Sequence, residues 1–289
     1  MPVPEPLQAT TQRCVSRLAG IPGVDAVVLG GSWARGRARA DSDLDLGLYY
    51  RESEPPSLEA VRDVAGVLAG EDVAVTDFYE WGPWVNGGAW LSVDGLAVDL
   101  LFRSVELCEH VIDEAAQGRY ELHWGQQPPF GFFSPTYLGE LHYAELLGGS
   151  TATIERLKGQ VLNYPEALRT RVIQDMLWGV EFGLLGFASK FTARGDTYLL
   201  AASVSRFVFQ MTLALFALNR RYYVNDKTAL EEVCEFELAP SDFGPRVQEM
   251  MADVGGTEPT LKRTLAATRS LFEEAAKLAG GLYRPRSFR

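Results

Sequence analysis

Two acidic residues, Asp43 and Asp45, have the spacing of a metal-binding pair. Residues i and i+2 of a β-strand face the same side of a sheet, so both carboxylates project to one side while Leu44 and Leu46 point to a core. Two like charges this close repel each other strongly unless a cation lies between them. Carboxylate oxygens with an accompanying phosphate favour Mg²⁺ or Mn²⁺. The pair therefore predicts a divalent-cation site.

A glycine turn precedes this pair in the segment GGSWARGRARADSDLDL, residues 30–46. Gly30 and Gly31 let the backbone come close to a ligand and expose its N–H groups, and Ser32 adds a hydroxyl group at the same place. Together they predict a small anion-binding pocket, for which a triphosphate is the natural occupant. Arg35 lies just past this turn and is a further candidate for phosphate contact.

A third acid, Asp99, lies in the apolar segment LAVDLLF, residues 96–102. A carboxylate inside an apolar strand needs compensation for its burial, and a metal ion would supply it. Three carboxylates on adjacent strands can hold two ions about 3.5 to 4 Å apart, one polarising an attacking oxygen and the other stabilising a leaving pyrophosphate. Asp99 could also accept the proton of the attacking hydroxyl, and Glu80 is an alternative base, so the role of Asp99 stays open.

Tryptophans are concentrated around the same segments. Each of them either lines a pocket for the acceptor or the nucleotide base, or belongs to the core. The tryptophans in question are Trp81, Trp84, Trp90 and Trp124.

Short β-like segments alternate with helical ones in the first hundred residues, which predicts a mixed sheet flanked by helices. An amphipathic helix is expected over residues 57–69, where apolar residues follow a helical stripe. The dipeptide Asp94-Gly95 predicts a tight hairpin, so the segments on either side of it should pair as antiparallel neighbours. The expected strands are residues 24–29, 44–50, 73–79, 89–93 and 96–102.

The pattern changes to long helical segments from about Ser134 onward. Ser134-Pro135 offers a helix start before TYLGELHYAELL, and Pro165 opens a helical run to about Ala193. Residues 198–219 approach the length of a membrane span, but Arg206 and Gln210 near the middle favour a helix buried in a soluble domain. The sequence thus predicts an α+β chain with one domain over residues 1–130 and a helical bundle over residues 131–289.

The net charge and the spacing of the cysteines limit which partners and which cellular compartment the sequence favours. The net charge of -11 disfavours binding to nucleic-acid backbones and would suit a cationic small molecule. Cys14, Cys108 and Cys234 lie too far apart in sequence to suggest a disulfide framework or a thiolate zinc site. The first residues lack the basic region and apolar run of a secretory signal. We therefore expect a cytoplasmic protein.

The glycine turn, the Asp-hydrophobic-Asp pair and the later strand acid together resemble the DNA polymerase beta-like nucleotidyltransferase superfamily. Residues 24–103 carry the resemblance, and the form GGSWARGRARADSDLDL is most similar to the small-molecule branch, which includes the aminoglycoside and lincosamide nucleotidyltransferases. The resemblance implies a nucleotidyltransferase domain in the N-terminal part, Mg²⁺ held by Asp43 and Asp45 with Asp99 as the third acid, and Ser32 on the triphosphate of ATP or another nucleoside triphosphate. It also implies that Lys190 and Lys227 meet phosphates from the helical domain.

The activity expected on this basis is transfer of a nucleoside monophosphate, AMP from ATP in the simplest case, to a hydroxyl group of a small molecule such as an antibiotic. A protein side chain is the alternative acceptor. An alternative of another class is an antitoxin-like nucleotide-binding regulator that kept the pocket without turnover. A homodimer is also open, because such enzymes can build their sites across two subunits.

Overall fold

The computed structural model describes residues 3–285, except for the Pro6 side chain. Contacts divide these residues into two compact units. The first contains the residues up to Glu114 together with Tyr120–Asn163, and the second contains Ala115–Arg119 and the residues from Tyr164 onward.

The first unit contains the α+β part of the chain. Its strands are β1 (Val24–Leu29), β2 (Leu44–Tyr50), β3 (Gly88–Val93), β4 (Leu96–Ser104), β5 (Leu122–His123), β6 (Phe132–Phe133) and β7 (Glu145–Gly149). The helices that begin in it are α1 (Glu5–Leu18), α2 (Gly31–Ala34), α3 (Leu58–Ala69), α4 (Val105–Ala116), α5 (Thr136–Tyr143) and α6 (Thr151–Gln160).

A mixed sheet forms the frame of this unit, with strand order β3-β4-β2-β1-β7. β2 and β4 run parallel, whereas the other neighbours are antiparallel. Leu44, Leu46 and Leu48 are fully buried on one face, in a core that α1 and α3 help to form. The mixed sheet flanked by helices and the hairpin at residues 94–95 are therefore confirmed.

The strand predicted over residues 73–79 is wrong. Within the described part of the chain this segment makes only an isolated bridge, from Val75 to Ala89. Two hydrogen bonds join Thr76 to Gly88. The Thr76 N–H donates to the Gly88 carbonyl oxygen at 3.0 Å, and the Thr76 hydroxyl accepts the Gly88 N–H at 2.8 Å. Tyr79 then adopts a φ of 60°, which ends the extended conformation.

The helix predicted to continue through residue 147 is also shorter than expected. α5 ends at Tyr143, and the next residues form β7, which pairs with β1. Gly148 and Gly149 explain the difference, since a Cβ on Gly148 would lie 2.9 Å from Val15 Cγ1 and one on Gly149 would lie 2.4 Å from the Asp25 carbonyl oxygen. Residues 131–163 therefore pack with the sheet, and contacts divide the chain after Asn163 rather than near residue 130.

The second unit is helical within its described residues. Gly179 and Gly183 on its first long helix allow close packing, because a Cβ there would meet Gln210 Nε2 and a Phe207 ring carbon, each at 2.3 Å. Its elements are α7 (Glu166–Gly183), a π-helix (Leu184–Ala188), α8 (Ser189–Ala193), α9 (Thr197–Leu218), α10 (Ala229–Val233), α11 (Phe243–Ala252), α12 (Glu258–Ala279) and a 3₁₀ helix (Gly280–Leu282).

The apolar helix singled out from the sequence is α9. Among the described helices it is the one long and apolar enough to cross a membrane, and 67% of its most apolar window is buried. It packs against α7 and α12 of the same unit. The expected buried helix is therefore what the structure shows.

Candidate active site

The glycine turn lies directly against the second aspartate of the pair. The Gly30 N–H donates to the Asp45 carbonyl oxygen at 2.9 Å, where the turn leaves β1 beside β2. Gly31 has a φ of 57°, and a Cβ built on it would lie 1.7 Å from Asp45 Oδ2. Because a Cβ would clash there, only glycine lets the backbone of the turn approach the Asp45 carboxylate this closely.

The parallel pairing of β2 with β4 brings the second and third acids together. Asp45 and Asp99 are direct partners in the strand register, and both are half-buried. Paired residues of neighbouring strands face the same side, so their carboxylates lie one strand spacing apart, about 4.8 Å between the backbones. Asp43 is exposed and lies one residue before β2. The register therefore supports the predicted proximity of Asp99 to the pair.

The donor chemistry of this row suits a hard divalent cation, since carboxylate oxygens are the ligands that Mg²⁺ and Mn²⁺ prefer. With the side chains as they lie, no group of three acidic, histidine or cysteine residues in the range 3–285 is close enough to hold a metal ion. Asp45 and Asp99 are the two acids that the sheet itself fixes, and Asp43 lies two residues before Asp45.

The loop between the turn and the aspartates carries a cluster of arginines. α2 begins at Gly31, and the Arg37 N–H donates to the Ser32 carbonyl oxygen at 2.9 Å. The Arg39 N–H donates to the Ser42 hydroxyl at 2.8 Å, which closes the loop before Asp43. The Arg35 guanidinium lies 5.5 Å from the ring centre of Tyr143. Ser32 and Arg35 are thus held beside the glycine turn, where the sequence predicts phosphate contacts.

The tryptophans separate into core and surface. Trp84 is only 8% exposed and stacks on Phe132, so it belongs to the core. Trp90 is 66% exposed and stacks on Trp81 with 4.5 Å between ring centres. Trp90 is also the direct partner of Asp99 across the β3–β4 hairpin. This juxtaposition was missed from the sequence, although counting back from the predicted turn at residues 94–95 pairs position 90 with position 99.

Behind the acids, the same face of the sheet is closed by a buried ion pair. Arg103 donates from Nε to Glu140 Oε2 at 2.7 Å and from Nη2 to Oε1 at 3.0 Å. Burial acts to lower the pKa of Arg103, but the charge of Glu140 outweighs it, and the net pKa is raised. Arg103 pairs with the buried Tyr49 in the strand register. The deep end of this face is therefore fixed, while the end with Asp45 and Asp99 stays more open.

One family model matches the part of the chain that contains this site. Residues 11–119 match the family model described as a nucleotidyltransferase domain. This part of the chain is similar to a nucleotidyltransferase domain. The match contains the glycine turn, Asp43, Asp45 and Asp99, and the expected enzyme class, a nucleotidyltransferase, is confirmed.

The other comparisons add little about activity. Residues 133–227 match a family model described as a domain of unknown function. A solved structure of a nucleotidyltransferase-like protein from Exiguobacterium sibiricum 255-15 is similar over 96% of this chain and 78% of that one, with 11% identity and a TM-score of 0.46. Similarity that low establishes no function. No curated protein matches the sequence.

Two predicted phosphate contacts lie outside residues 11–119, in the second unit. Lys190 is exposed on α8, with Nζ 5.7 Å from the ring centre of Phe187. Lys227 is exposed, and its backbone N–H donates to Asn225 Oδ1 at 3.0 Å. Their contact with a nucleotide stays a prediction.

Proposed function

We propose that the protein transfers a nucleoside monophosphate, AMP from ATP, to a hydroxyl group of a small molecule. The observation that carries the proposal is the row in which Asp99 pairs with Asp45 and Asp45 lies against the Gly31 backbone. A nucleotidyltransferase domain acts on a nucleoside triphosphate, and this row joins a phosphate-binding turn to a set of metal-binding acids.

The residues of the row divide into two roles. The backbone N–H groups of Gly30 and Gly31, with the Ser32 hydroxyl and the Arg35 guanidinium, would bind the triphosphate. Asp43, Asp45 and Asp99 would hold Mg²⁺ or Mn²⁺. When bound, such an ion neutralises charge on the phosphates and polarises the phosphoryl oxygens.

The transfer itself conserves atoms and charge in one displacement. The acceptor oxygen forms a bond to the α-phosphorus while the bond from that phosphorus to the bridging oxygen breaks, and pyrophosphate leaves. Asp99 would also accept the proton of the acceptor hydroxyl, and its strand partner on the side away from Asp45 is the exposed Trp90. The protein contributes mainly by positioning the reactants and stabilising charge.

The net charge of the chain limits the class of acceptor molecule. A net charge of -11 favours a cationic small molecule, of which an aminoglycoside-type antibiotic is an example, and disfavours nucleic acid. The alternatives are a protein side chain as acceptor and a regulator that binds the nucleotide without turnover.

Pyrophosphate release from ATP and Mg²⁺, measured with a panel of aminoglycosides and lincosamides, tests the proposal. The wild-type protein should release pyrophosphate only with metal and acceptor together. Asp45→Asn should reduce the rate at least about a hundredfold, the scale seen when a group that stabilises developing charge is removed. Asp63→Asn is the matched control, because Asp63 is an exposed acid on α3, and α3 packs on the opposite face of the sheet.

Three outcomes contradict the proposal. Tight ATP binding without any release would favour the regulator. Release that requires an added protein, rather than a small molecule, would identify a protein acceptor. An Asp45→Asn variant as active as Asp63→Asn would exclude the aspartate row as the active site.

A further inference from the structure

A stacked pair of tryptophans, one of them exposed, adjoins the acids on the side away from the glycine turn. Trp90, 66% exposed on the edge strand β3, faces the same side of the sheet as its partner Asp99. Trp81 stacks on it with an interplanar angle of 28°. The exposed indole face of Trp90, beside an acid of the proposed active site, is therefore open to contact with a ligand.

The loop that carries Trp81 is fixed by buried polar residues. Asn86, fully buried, accepts the Tyr79 N–H through Oδ1 at 2.9 Å and donates from Nδ2 to the Tyr50 hydroxyl at 2.9 Å. Gln126, 7% exposed, accepts the Trp84 N–H through Oε1 at 2.8 Å and donates to the Trp81 carbonyl oxygen. The indole pair is therefore built into the fold in advance, which lowers the entropy cost of binding a ligand on it.

The order of the strands assigns this pair to one of the two substrates. Along the row, Trp90 on β3 is followed by Asp99 on β4, Asp45 on β2 and the glycine turn after β1. In a displacement at phosphorus the attacking and leaving oxygens lie roughly in line on opposite sides. If the leaving pyrophosphate lies at the glycine turn, the attacking group must approach from the side of Trp90.

We propose that Trp90, backed by Trp81, is the acceptor subsite and binds a ring of the acceptor face-on. This proposal rests on the proposed transferase function. The nucleotide base does not suit the place, because the whole ribose separates the base from the α-phosphorus, whereas Trp90 is the immediate neighbour of Asp99. Directly paired residues have Cβ atoms about 5 Å apart, so the reacting hydroxyl must lie on the stacked ring or one bond from it.

The predicted acceptor is thus a hydroxylated ring compound with a flat apolar face. The C–H groups on such a face carry partial positive charge and are attracted by the negative face of the indole. An open-chain polyol offers the same hydroxyl groups without such a face, which provides a direct chemical control.

Fluorine NMR of 5-fluorotryptophan-labelled protein tests the assignment. The chain contains 6 tryptophans, and the signals of Trp81 and Trp90 are identified with the variants Trp81→Phe and Trp90→Phe. The probes are kanamycin A, lincomycin and methyl α-D-glucopyranoside as ring compounds, and D-sorbitol as the open-chain control. Trp124, 51% exposed outside the five-stranded sheet, is the internal reference.

At least one ring probe should shift the Trp90 and Trp81 signals in a saturable way, while sorbitol and the Trp124 signal show no change. Trp90→Ala should weaken binding of that probe by roughly five- to a hundredfold, the range for loss of one stacking face. The same variant should leave the affinity for ATP with Mg²⁺, measured by calorimetry, within about twofold of wild type.

The contradicting outcomes are distinct. No shift of Trp90 with any ring probe, or an equal shift with sorbitol, overturns the acceptor subsite. A shift of Trp90 with ATP and Mg²⁺ alone, together with a loss of ATP affinity in Trp90→Ala, assigns the pair to the base instead. If wild-type protein fails to bind ATP with Mg²⁺ while a ring probe still shifts Trp90, the transferase function fails and the ring-binding site stands by itself.

Discussion

Replacement of Gly31 by alanine tests the contact between the glycine turn and Asp45. The added Cβ would lie 1.7 Å from Oδ2 and 2.4 Å from Cγ of Asp45, whereas real Cβ contacts are essentially never shorter than 3.0 Å. The carboxylate must therefore retreat by more than an ångström. The substitution also forces alanine into a φ of 57°, which costs about 1 to 2 kcal/mol in any protein.

The matched control for the backbone strain is Gly36→Ala. Gly36 has a similar φ of 66°, but a Cβ on it meets nothing within 4 Å. Both variants should lose about 1 to 2 kcal/mol of unfolding free energy from the left-handed backbone, as measured by urea denaturation.

The activities of the two variants should differ sharply. A misplacement of about 1 Å in an active site costs roughly a hundredfold in rate, equivalent to about 2.7 kcal/mol of transition-state stabilisation. Gly31→Ala should therefore lose about a hundredfold in pyrophosphate release beyond any change in Gly36→Ala. Equal activity in the two variants would refute the idea that Asp45 must occupy its present position against the turn.

Two further substitutions probe the ion pairs of each unit. Arg103→Ala leaves the half-buried Glu140 without its bidentate partner. The unfolding free energy, measured by urea denaturation, should therefore fall by about 3 kcal/mol. A loss under about 1 kcal/mol would mean that the pair does not stabilise the sheet. In the second unit, hydrogen bonds from Arg246 lower the pKa of Glu274, so this carboxylate stabilises the fold above the pKa of the unfolded chain and loses that effect as the pH falls through its folded pKa. Because the pair is partly exposed, Glu274→Gln should lower the unfolding free energy by no more than about 1 kcal/mol at pH 7. The difference from wild type should shrink below about pH 4. A difference that grows on acidification would contradict this assignment.

Local patterns were sufficient for the strands that carry the acids. The alternation of Leu44 and Leu46 with the aspartates predicted one buried face, and both leucines are fully buried. The turn at residues 94–95 even contained the pairing of Trp90 with Asp99, because a two-residue hairpin fixes the register of both strands.

Features that depend on distant partners could not be predicted in this way. β7 reads locally as the end of a helix, and it becomes a strand because β1 offers it an edge and because Gly148 fits against Val15 on α1. The parallel alignment of Asp45 with Asp99 likewise depends on the order of strands in the sheet, which no local pattern specifies. The ion pair of Arg103 and Glu140 joins β4 to α5, two elements that lie far apart in sequence, so no local pattern predicts it either.

A crystal structure of the protein with Mg²⁺ and a non-hydrolysable ATP analogue tests the central claim most directly. The account predicts an ion at about 2.0 to 2.1 Å from carboxylate oxygens of Asp43 and Asp45, as expected for magnesium. It also predicts phosphate oxygens on the N–H groups of Gly30 and Gly31, and an empty space beside Trp90. A nucleotide bound with its phosphates away from the glycine turn, or an ion that contacts neither Asp43 nor Asp45, would contradict it.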